Sequence, residues 1–404
     1  MNKKLGLAVA GAVMAFASSA NAGITIPAGD WTLDIGGVVN AYYTSTNPSG
    51  DAVAGGLGGG TGDKVNNVTT GLLPNVLAVS GKTRQNDLDV AFTISINPGA
   101  AQSNAASGGS ASEHRQAFFT VGDASWGSVK FGKDLGIFAS DAILNDMTLL
   151  GVGSNAASVS TTTLGRIGTG YMYADWKSQI AYTSPNWNGF QFTAGVTQAW
   201  DALSSDNGAS SNPDIYSASS STRGGNQSAY EAKASYAWTG DVAGKVWASA
   251  FSQNVKDVTY GSTNFGSERA NAWDLGANIN VAGFGLTGYY YDGKGVGTTF
   301  MLKDGFDKTG KRRDSNGGYV QVTYVLPTAT KLGVSYGKSK LDGNSGDATA
   351  NLVEENKMWT VGAYHPLTKS VNLVAEYSDV KSEAQASNVD GKSKTVSVGA
   401  ILFF

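Results

Sequence analysis

Hydrophobic and polar residues alternate along several stretches of the chain. In residues 88–96, every second position is apolar, and small or polar residues lie between: the apolar ones are Leu88, Val90, Phe92, Ile94 and Ile96. Successive side chains of a β-strand point to opposite faces, so this period of two predicts a strand with one apolar and one polar face. The same alternation recurs at 31–43, 190–197, 273–279, 320–324 and 395–404. The pattern indicates an all-β protein.

The lengths of the connections decide which all-β architecture is expected. Short connections fall near 83–86, 122–127, 184–189, 239–244, 282–285, 327–330 and 366–370. Long connections rich in Gly, Ser, Asn and Asp fall near 44–72, 98–111, 134–175, 201–227, 256–269, 293–317, 339–356 and 379–393. A soluble sandwich also has alternating strands, but a regular succession of short turns and long loops is typical of a transmembrane barrel. These fifteen connections predict a sixteen-stranded antiparallel transmembrane β-barrel.

The first 22 residues have the features of a signal peptide. Lys3 and Lys4 precede an apolar run, and Ala20-Asn21-Ala22 is a small-residue cleavage motif. The apolar run is shorter than the roughly 20 residues that a membrane-spanning helix needs. We therefore expect residues 1–22 to be removed and residues 23–404 to form the barrel.

Composition narrows the classes of function. Without Lys3 and Lys4 the chain keeps 27 basic and 32 acidic side chains, and this net charge of −5 argues against a nucleic-acid partner. The absence of cysteine excludes thiol catalysis and thiolate metal sites. Mean hydropathy is −0.16, which suits barrel strands because their apolar residues alternate with polar ones.

Aromatic residues gather near the ends of the predicted strands, as in the two girdles that flank a membrane. The chain ends in Phe404, on the same face as Ala400 and Leu402. We expect this last strand to close the barrel against the strand that contains Trp31.

Motifs of known chemistry are incomplete. Gly81-Lys82-Thr83 and Gly337-Lys338-Ser339 resemble the end of a phosphate-binding loop, but Val76 and Leu332 occupy the position of its first glycine. His114 and His365 belong to no zinc-binding pattern, and no nucleophile-elbow motif occurs. We expect neither an enzyme nor a cofactor or metal.

Several stretches together resemble the Gram-negative general porin family. Residues 115–133 resemble its fourth and fifth strands, residues 180–192 its sixth and seventh, and residues 359–364 and 376–378 with Phe404 its last strands. The resemblance implies a homotrimer in the outer membrane of a Gram-negative bacterium, in contact with its lipid and lipopolysaccharide. It also implies a passive, water-filled channel for small polar solutes and ions, narrowed by a third loop that folds into the barrel.

The resemblance further implies which residues narrow the pore. The third loop follows Lys133 and brings the acids Asp134, Asp141 and Asp146. In the family, such acids face basic residues on the opposite wall. The basic candidates here are Arg115, Lys130, Arg166 and Lys177.

Two of these assignments depend on how the chain is aligned. The family's basic residue of the sixth strand falls at Trp176 or Lys177, and Lys177 shares the polar face with Gln179 and Ala181. Arg166 precedes an extension, residues 168–176, that the common pattern lacks. Asn75 and Val76 stand where many relatives have an arginine in the second strand.

Two other functions remain open at this stage. A substrate-specific channel would need a row of aromatic residues in the lumen, for which Tyr289 and Tyr291 are the adjacent pair. A surface adhesion or binding protein would use the long outer loops. Ion preference is undecided because polar-face acids and bases balance: the acids are Asp34, Asp89, Glu231, Asp274 and Glu376, and the bases are Arg115, Lys130, Lys177, Lys233 and Lys331.

Overall fold

The computed structural model describes residues 23–60, 62–99, 112–155, 162–200, 227–255, 258–260, 263–345, 347 and 351–404. The predicted signal peptide, residues 1–22, lies outside the described residues. Strands dominate, and the two helices between Ser140 and Leu150 are short.

The first half of the chain contains ten strands and both helices. They are β1 (Ile24–Ala28), β2 (Trp31–Gly50), β3 (Val65–Thr69), β4 (Val76–Gln85), β5 (Leu88–Pro98), β6 (Ser112–Glu113), β7 (Ala117–Asp123), β8 (Gly127–Leu135), α1 (Ser140–Leu144), a 3₁₀ helix (Met147–Leu150), β9 (Trp176–Thr183) and β10 (Phe190–Thr197). Eleven strands follow: β11 (Ala229–Trp238), β12 (Val242–Val255), β13 (Thr259–Tyr260), β14 (Thr263–Asn264), β15 (Glu268–Val281), β16 (Phe284–Lys294), β17 (Asp314–Val325), β18 (Lys331–Asp342), β19 (Val353–Pro366), β20 (Val371–Ala384) and β21 (Asp390–Phe403).

Nineteen of these strands form one sheet that closes on itself. Three pairs of segments share a barrel position each (β3 with β4, β6 with β7, and β1 with β21), which leaves the sixteen positions that were predicted. Closure joins β2 to β21 in antiparallel register, from Val38 opposite Phe403 to Gly50 opposite Gly391. The predicted contact between the last strand and the strand of Trp31 is thus confirmed.

The alternation of short and long connections is confirmed, with two differences. The last outer loop is only residues 385–389, because β20 and β21 continue through most of the predicted loop at 379–393. Their polar residues suggested a loop, but a strand that extends beyond the membrane can be polar on both faces. The second barrel position is divided between β3 and β4, because residues 70–75 leave the wall and bury Leu72 and Leu73 inside; β3 lies within the long connection predicted near 44–72.

Burial confirms the predicted faces of β5. Ile94 and Ile96 are 55% and 45% exposed to the surroundings of the barrel, whereas Thr93 and Ser95 are 3% and 1% exposed. Exposed apolar side chains around the whole outer wall are the surface that a lipid bilayer covers.

The packed core lies inside the barrel because the outer face is left for lipid. The segment between β8 and β9, called the inner loop below, lies inside the barrel as predicted, where residues 136–155 and 162–175 are described. Phe138, Ala142, Tyr171 and Met172 of this loop are fully buried against the wall. Neither helix of the described residues is long and apolar enough to cross a membrane.

Candidate functional site

The inner loop is held to the barrel wall at its first turn by carboxylates. Glu231 of β11 accepts hydrogen bonds from the backbone N–H groups of Ile137 and Phe138, at 2.8 and 2.9 Å. Asp274 of β15 accepts the next one, from Ala139, at 3.2 Å. A buried N–H group without a partner is costly, so these wall acids stabilise the inward course of the loop.

A third wall acid holds the middle of the inner loop. Glu376 of β20 accepts from the N–H groups of Val152 and Gly153 at 2.7 and 2.9 Å, and from the Tyr364 hydroxyl at 2.6 Å. Gly151 makes this approach possible, because a Cβ atom there would lie 2.1 Å from Glu376 Oε1. The loop therefore needs a glycine where it meets this carboxylate.

Arg166 anchors the returning half of the inner loop. Its side chain is 0% exposed, donates to the Met358 carbonyl oxygen at 3.0 Å and to the Ser335 hydroxyl, and lies over the Tyr319 ring. Nearby, Gly170 N–H donates to Ser339 Oγ at 3.0 Å. The structure thus places Arg166, uncertain in the sequence, against the wall of β17 to β19.

Asp141 of α1 lies between two lysines of the opposite wall. Its carboxylate is 2.9 Å from the Lys233 ammonium and also binds the Lys245 ammonium. The Asp141 side chain is 4% exposed, whereas the lysine side chains are 21% and 34% exposed. Burial alone would raise the pKa of Asp141, but the two lysines outweigh it and hold this pKa below its usual value. One buried negative charge is thus flanked by two more accessible positive charges.

Asp134 belongs to a separate group on β8. Its carboxylate binds the Lys130 ammonium and accepts from Gln116 Nε2 at 3.0 Å. Its backbone lies directly opposite Lys177, but the Lys177 ammonium turns to Glu231, and both side chains of that pair are 0% exposed.

Arg115 and Asp146 have different neighbours again. Arg115 donates to Glu113 at 2.8 Å and lies 5.8 Å from the centre of the Trp176 ring. Asp146 caps the 3₁₀ helix by accepting from Thr148 N–H at 3.0 Å, and it accepts from the Tyr171 hydroxyl at 2.9 Å. Burial, and then the Asp146 charge, raise the pKa of Tyr171 well above its usual value.

The seven predicted residues therefore divide among several clusters. Asp134 meets Lys130, but Asp141 meets Lys233 and Lys245 where Arg115 and Lys177 were expected. The alternation of apolar and polar positions placed four of the residues that hold the loop on the polar face, without indicating their role: Lys233, Glu231, Asp274 and Glu376. It did not identify Lys245 as a candidate. The position of a residue in the alternation shows which face of the wall its side chain is on. It does not show which part of a 40-residue loop packs against that side chain.

The acidic side chains of this site bind lysines and backbone N–H groups. In the described ranges, no group of three or more His, Cys, Asp or Glu side chains is arranged to hold a metal ion. The arrangement can instead place fixed charges along a narrow passage, which orders ions and polar solutes by electrostatics.

Comparisons with known proteins agree with the fold. A family model described as Gram-negative porin matches residues 8–385. No curated protein sequence matches the chain.

Three solved structures cover almost all of this chain and the whole of their own. They are the outer membrane channel DcaP of Acinetobacter baumannii (17% identity, 95% of this chain and 100% of that chain, TM-score 0.69), an anion-selective porin from Comamonas acidovorans (14%, 93% and 100%, TM-score 0.61) and Salmonella typhi OmpF in complex with daunomycin (16%, 94% and 100%, TM-score 0.61). At such identities, the likeness concerns the fold.

Proposed function

Since the chain belongs to the Gram-negative porin family, we propose that its inner loop and wall lysines form a constriction that prefers anions. The protein is an outer-membrane β-barrel porin, a channel for small solutes. The family consists of channels, and we propose no catalytic step for this member. The observation that carries the anion preference is the pairing of one buried carboxylate, Asp141, with two more accessible lysines, Lys233 and Lys245.

The acids of this region are turned away from the passage. Glu231, Asp274 and Glu376 are each at most 4% exposed and accept hydrogen bonds from the inner loop or the wall. Lys130, Lys233 and Lys245 keep 21–34% of their side chains accessible. At an effective dielectric of ~20, unit charges ~4 Å apart interact by about 4 kcal/mol. A passing anion therefore meets cations first.

At the periplasmic mouth, acidic side chains outnumber basic ones around Arg84, but these charges have less influence on ion preference. Arg84 lies 2.9 Å from Asp89 and 3.0 Å from Asp123, and its side chain is 49% exposed. Charges in such open water are screened over about 8 Å at physiological salt. The preference is therefore set at the narrow section.

The alternative of a substrate-specific channel lined by aromatic residues is less well supported. Tyr289 and Tyr291 face the lumen, but both are buried, and Tyr289 packs against Tyr171 and Tyr319. These rings hold the inner loop and present little surface to a solute. No contact within the described ranges favours adhesion by the outer loops.

Ion selectivity in planar bilayers tests the proposal. In a KCl gradient, the reversal potential of the wild-type channel should indicate that chloride is more permeant than potassium. K233Q/K245Q should lower that preference, and K64Q/K311Q, which removes two lysines from outer loops, should leave it unchanged. A cation-preferring wild-type channel, or an unchanged potential in K233Q/K245Q, would refute the proposed constriction.

We further propose a homotrimer that associates through the sector β3–β7. Outward residues there stay apolar towards the outer ends of the strands: Val68, Leu77, Ile94 and Ile96 are 44–55% exposed. Within the described strands β3–β7, no lysine or arginine lies on the outward face, which suits burial against another subunit. Unheated gel samples should show a large band that boiling converts to monomer, and I94D/I96D should run as a monomer without heating. A wild-type monomer in every mild detergent would contradict this proposal.

A further inference from the structure

Two aromatic side chains meet where the inner loop touches the sixth outer loop, on the outer side of the constriction. Tyr173 belongs to the segment 168–176 of the inner loop, which the general porin pattern lacks, and Phe300 belongs to the sixth outer loop, residues 295–313. Tyr173 N–H donates to the Thr299 carbonyl oxygen at 2.9 Å. The two rings stand edge to face, with their centres 6.2 Å apart. Tyr173 and Phe300 are called the aromatic pair.

The aromatic pair keeps part of its surface accessible. Both residues are half-buried and lie at the edge of the core inside the barrel. Tyr171, two residues earlier in the same segment, is by contrast fully buried in that core. Aromatic rings prefer edge-to-face or offset contacts, and the accessible parts of the pair can make such contacts with a further ring. The pair is therefore suited to bind a planar aromatic group.

A lysine places a positive charge beside the aromatic pair. The Lys303 ammonium lies 5.6 Å from the centre of the Phe300 ring, and Lys303 is itself half-buried. Among the residues that the structure describes, no acid forms a salt bridge with Lys303. An ammonium over an aromatic face is attracted by the ring and still has N–H donors for an anion. The aromatic pair and Lys303 thus combine an apolar surface with an available cation.

The acids next to Tyr173 already have partners. Glu113 accepts from Arg115 at 2.8 Å, and Asp175 is 3% exposed and accepts from Trp176 N–H at 2.7 Å. Burial raises the pKa of the Tyr173 hydroxyl, and the nearby Arg115 charge acts against that rise. The charges near Tyr173 therefore offset one another, and Lys303 gives the site its positive charge.

The sixth outer loop holds Phe300 and Lys303 in place before a solute arrives. Arg313 donates to both carboxylate oxygens of Asp347 at 2.8 Å, and to the carbonyl oxygens of Asp304 and Phe306 at 3.0 and 2.6 Å. The Arg313 side chain is 1% exposed. A site that is already ordered loses less conformational entropy when it binds.

We propose that the aromatic pair and Lys303 form a binding site for aromatic carboxylates at the outer mouth of the channel. The ring of the solute packs against Tyr173 and Phe300, and its carboxylate accepts a charge-assisted hydrogen bond from Lys303. Binding here collects such solutes above the constriction, and a moderate affinity lets them leave again. This inference rests on the anion-conducting function proposed above, for which it names a class of solute.

Block of the single-channel chloride current in planar bilayers tests the proposal. Benzoate and cyclohexanecarboxylate serve as probes, because they have the same charge and a similar size but only benzoate is aromatic. Benzoate should reach half-block of the wild-type current at a severalfold lower concentration than cyclohexanecarboxylate. Y173L/F300L should raise the concentration of benzoate for half-block roughly 3- to 10-fold. K303Q, a milder change of one partly accessible side chain, should raise it about 2- to 5-fold.

Matched controls separate the site from its surroundings. Y173F/F300Y keeps both rings and should be blocked as the wild type is, and K311Q, which removes an exposed lysine from the same loop, should have no effect. Equal half-block by the two probes, or unchanged benzoate block in both Y173L/F300L and K303Q, would overturn the proposal.

Reversal potentials of the same channels separate this proposal from the proposed constriction. Y173L/F300L should weaken the benzoate block and leave the preference for chloride over potassium unchanged. A wild-type channel that prefers chloride but is not blocked by benzoate would overturn the aromatic site alone. A wild-type channel that prefers potassium, but in which Y173L/F300L still weakens the benzoate block, would refute the constriction and support the site.

Discussion

Lys177 and Glu231 form an ion pair that is buried in the barrel wall: both side chains are 0% exposed. The same Glu231 carboxylate accepts hydrogen bonds from Ile137 and Phe138 at the start of the inner loop. The Lys177 ammonium also lies 5.6 and 5.8 Å from the rings of Trp200 and Phe251. A charge pair in the wall therefore supports the loop that narrows the lumen.

Removing one partner of this pair should be strongly destabilising. K177M leaves the Glu231 charge buried without its cation, and breaking a buried pair in this way costs about 3–5 kcal/mol. The double variant K177M/E231Q should recover part of the loss, because neither charge remains. The free energy of unfolding in urea, followed by tryptophan fluorescence, measures this. Equal destabilisation of the single and double variants would contradict the expected coupling.

Asp141→Asn should strengthen the preference for anions. The change removes the negative charge between Lys233 and Lys245 and keeps the size of the side chain. Because the lysines hold the pKa of Asp141 below its usual value, the carboxylate stays charged at pH 5 to 8, so the wild type and the variant should differ over that whole range. Reversal potentials at both pH values check this. Identical potentials would place Asp141 outside the conducting path.

The carboxyl group of Asp175 should make stability depend on pH near neutrality. Burial raises its pKa to about 7, although Trp176 N–H donates to it at 2.7 Å and Lys177 and Arg115 favour its charge. In the unfolded chain this pKa is about 3.9. The folded state binds the proton more tightly, so the stabilisation is full below about pH 4 and is lost as pH rises through about 7.

Asp175→Asn should remove that dependence. Asp175 has a φ of 59°, a conformation that asparagine tolerates. The free energy of unfolding of the wild type should fall between pH 5 and 8 more steeply than that of D175N. Parallel pH profiles would show that Asp175 does not titrate in this range.

Neighbouring positions in β10 should respond oppositely to arginine. Ala194 is exposed on the outer face, whereas Thr193 faces the lumen opposite Lys233. Arginine on the lipid face near the middle of the membrane costs about 2–4 kcal/mol. A194R should therefore fold into lipid vesicles much less completely than T193R, as judged by the heat-modifiable gel band. Equal yields would mean that the faces of β10 are reversed.

The strand alternation by itself determined the barrel. The side chains of a strand alternate between two faces, and in this wall one face is towards lipid and the other towards the lumen. Leu88 to Ile96 and their polar neighbours could therefore be assigned to faces from the sequence. The same local rule predicted the closing strand and the succession of short turns and long loops. It failed where the wall leaves the membrane, at β20 and β21, because polarity there no longer separates strand from loop.

Only the tertiary structure decided which charges meet. The alternation put Lys177 and Lys233 on the polar face, but not their partners. Lys177 reaches past β10 to Glu231 of the wall, and Lys233 meets Asp141 only because of the path of the inner loop. That path is set by contacts between residues far apart in the chain, such as Arg166 with Met358 and Val152 with Glu376. Side-chain direction is a local property of a strand, whereas an ion pair across a lumen depends on where a 40-residue loop packs, and no local pattern encodes that.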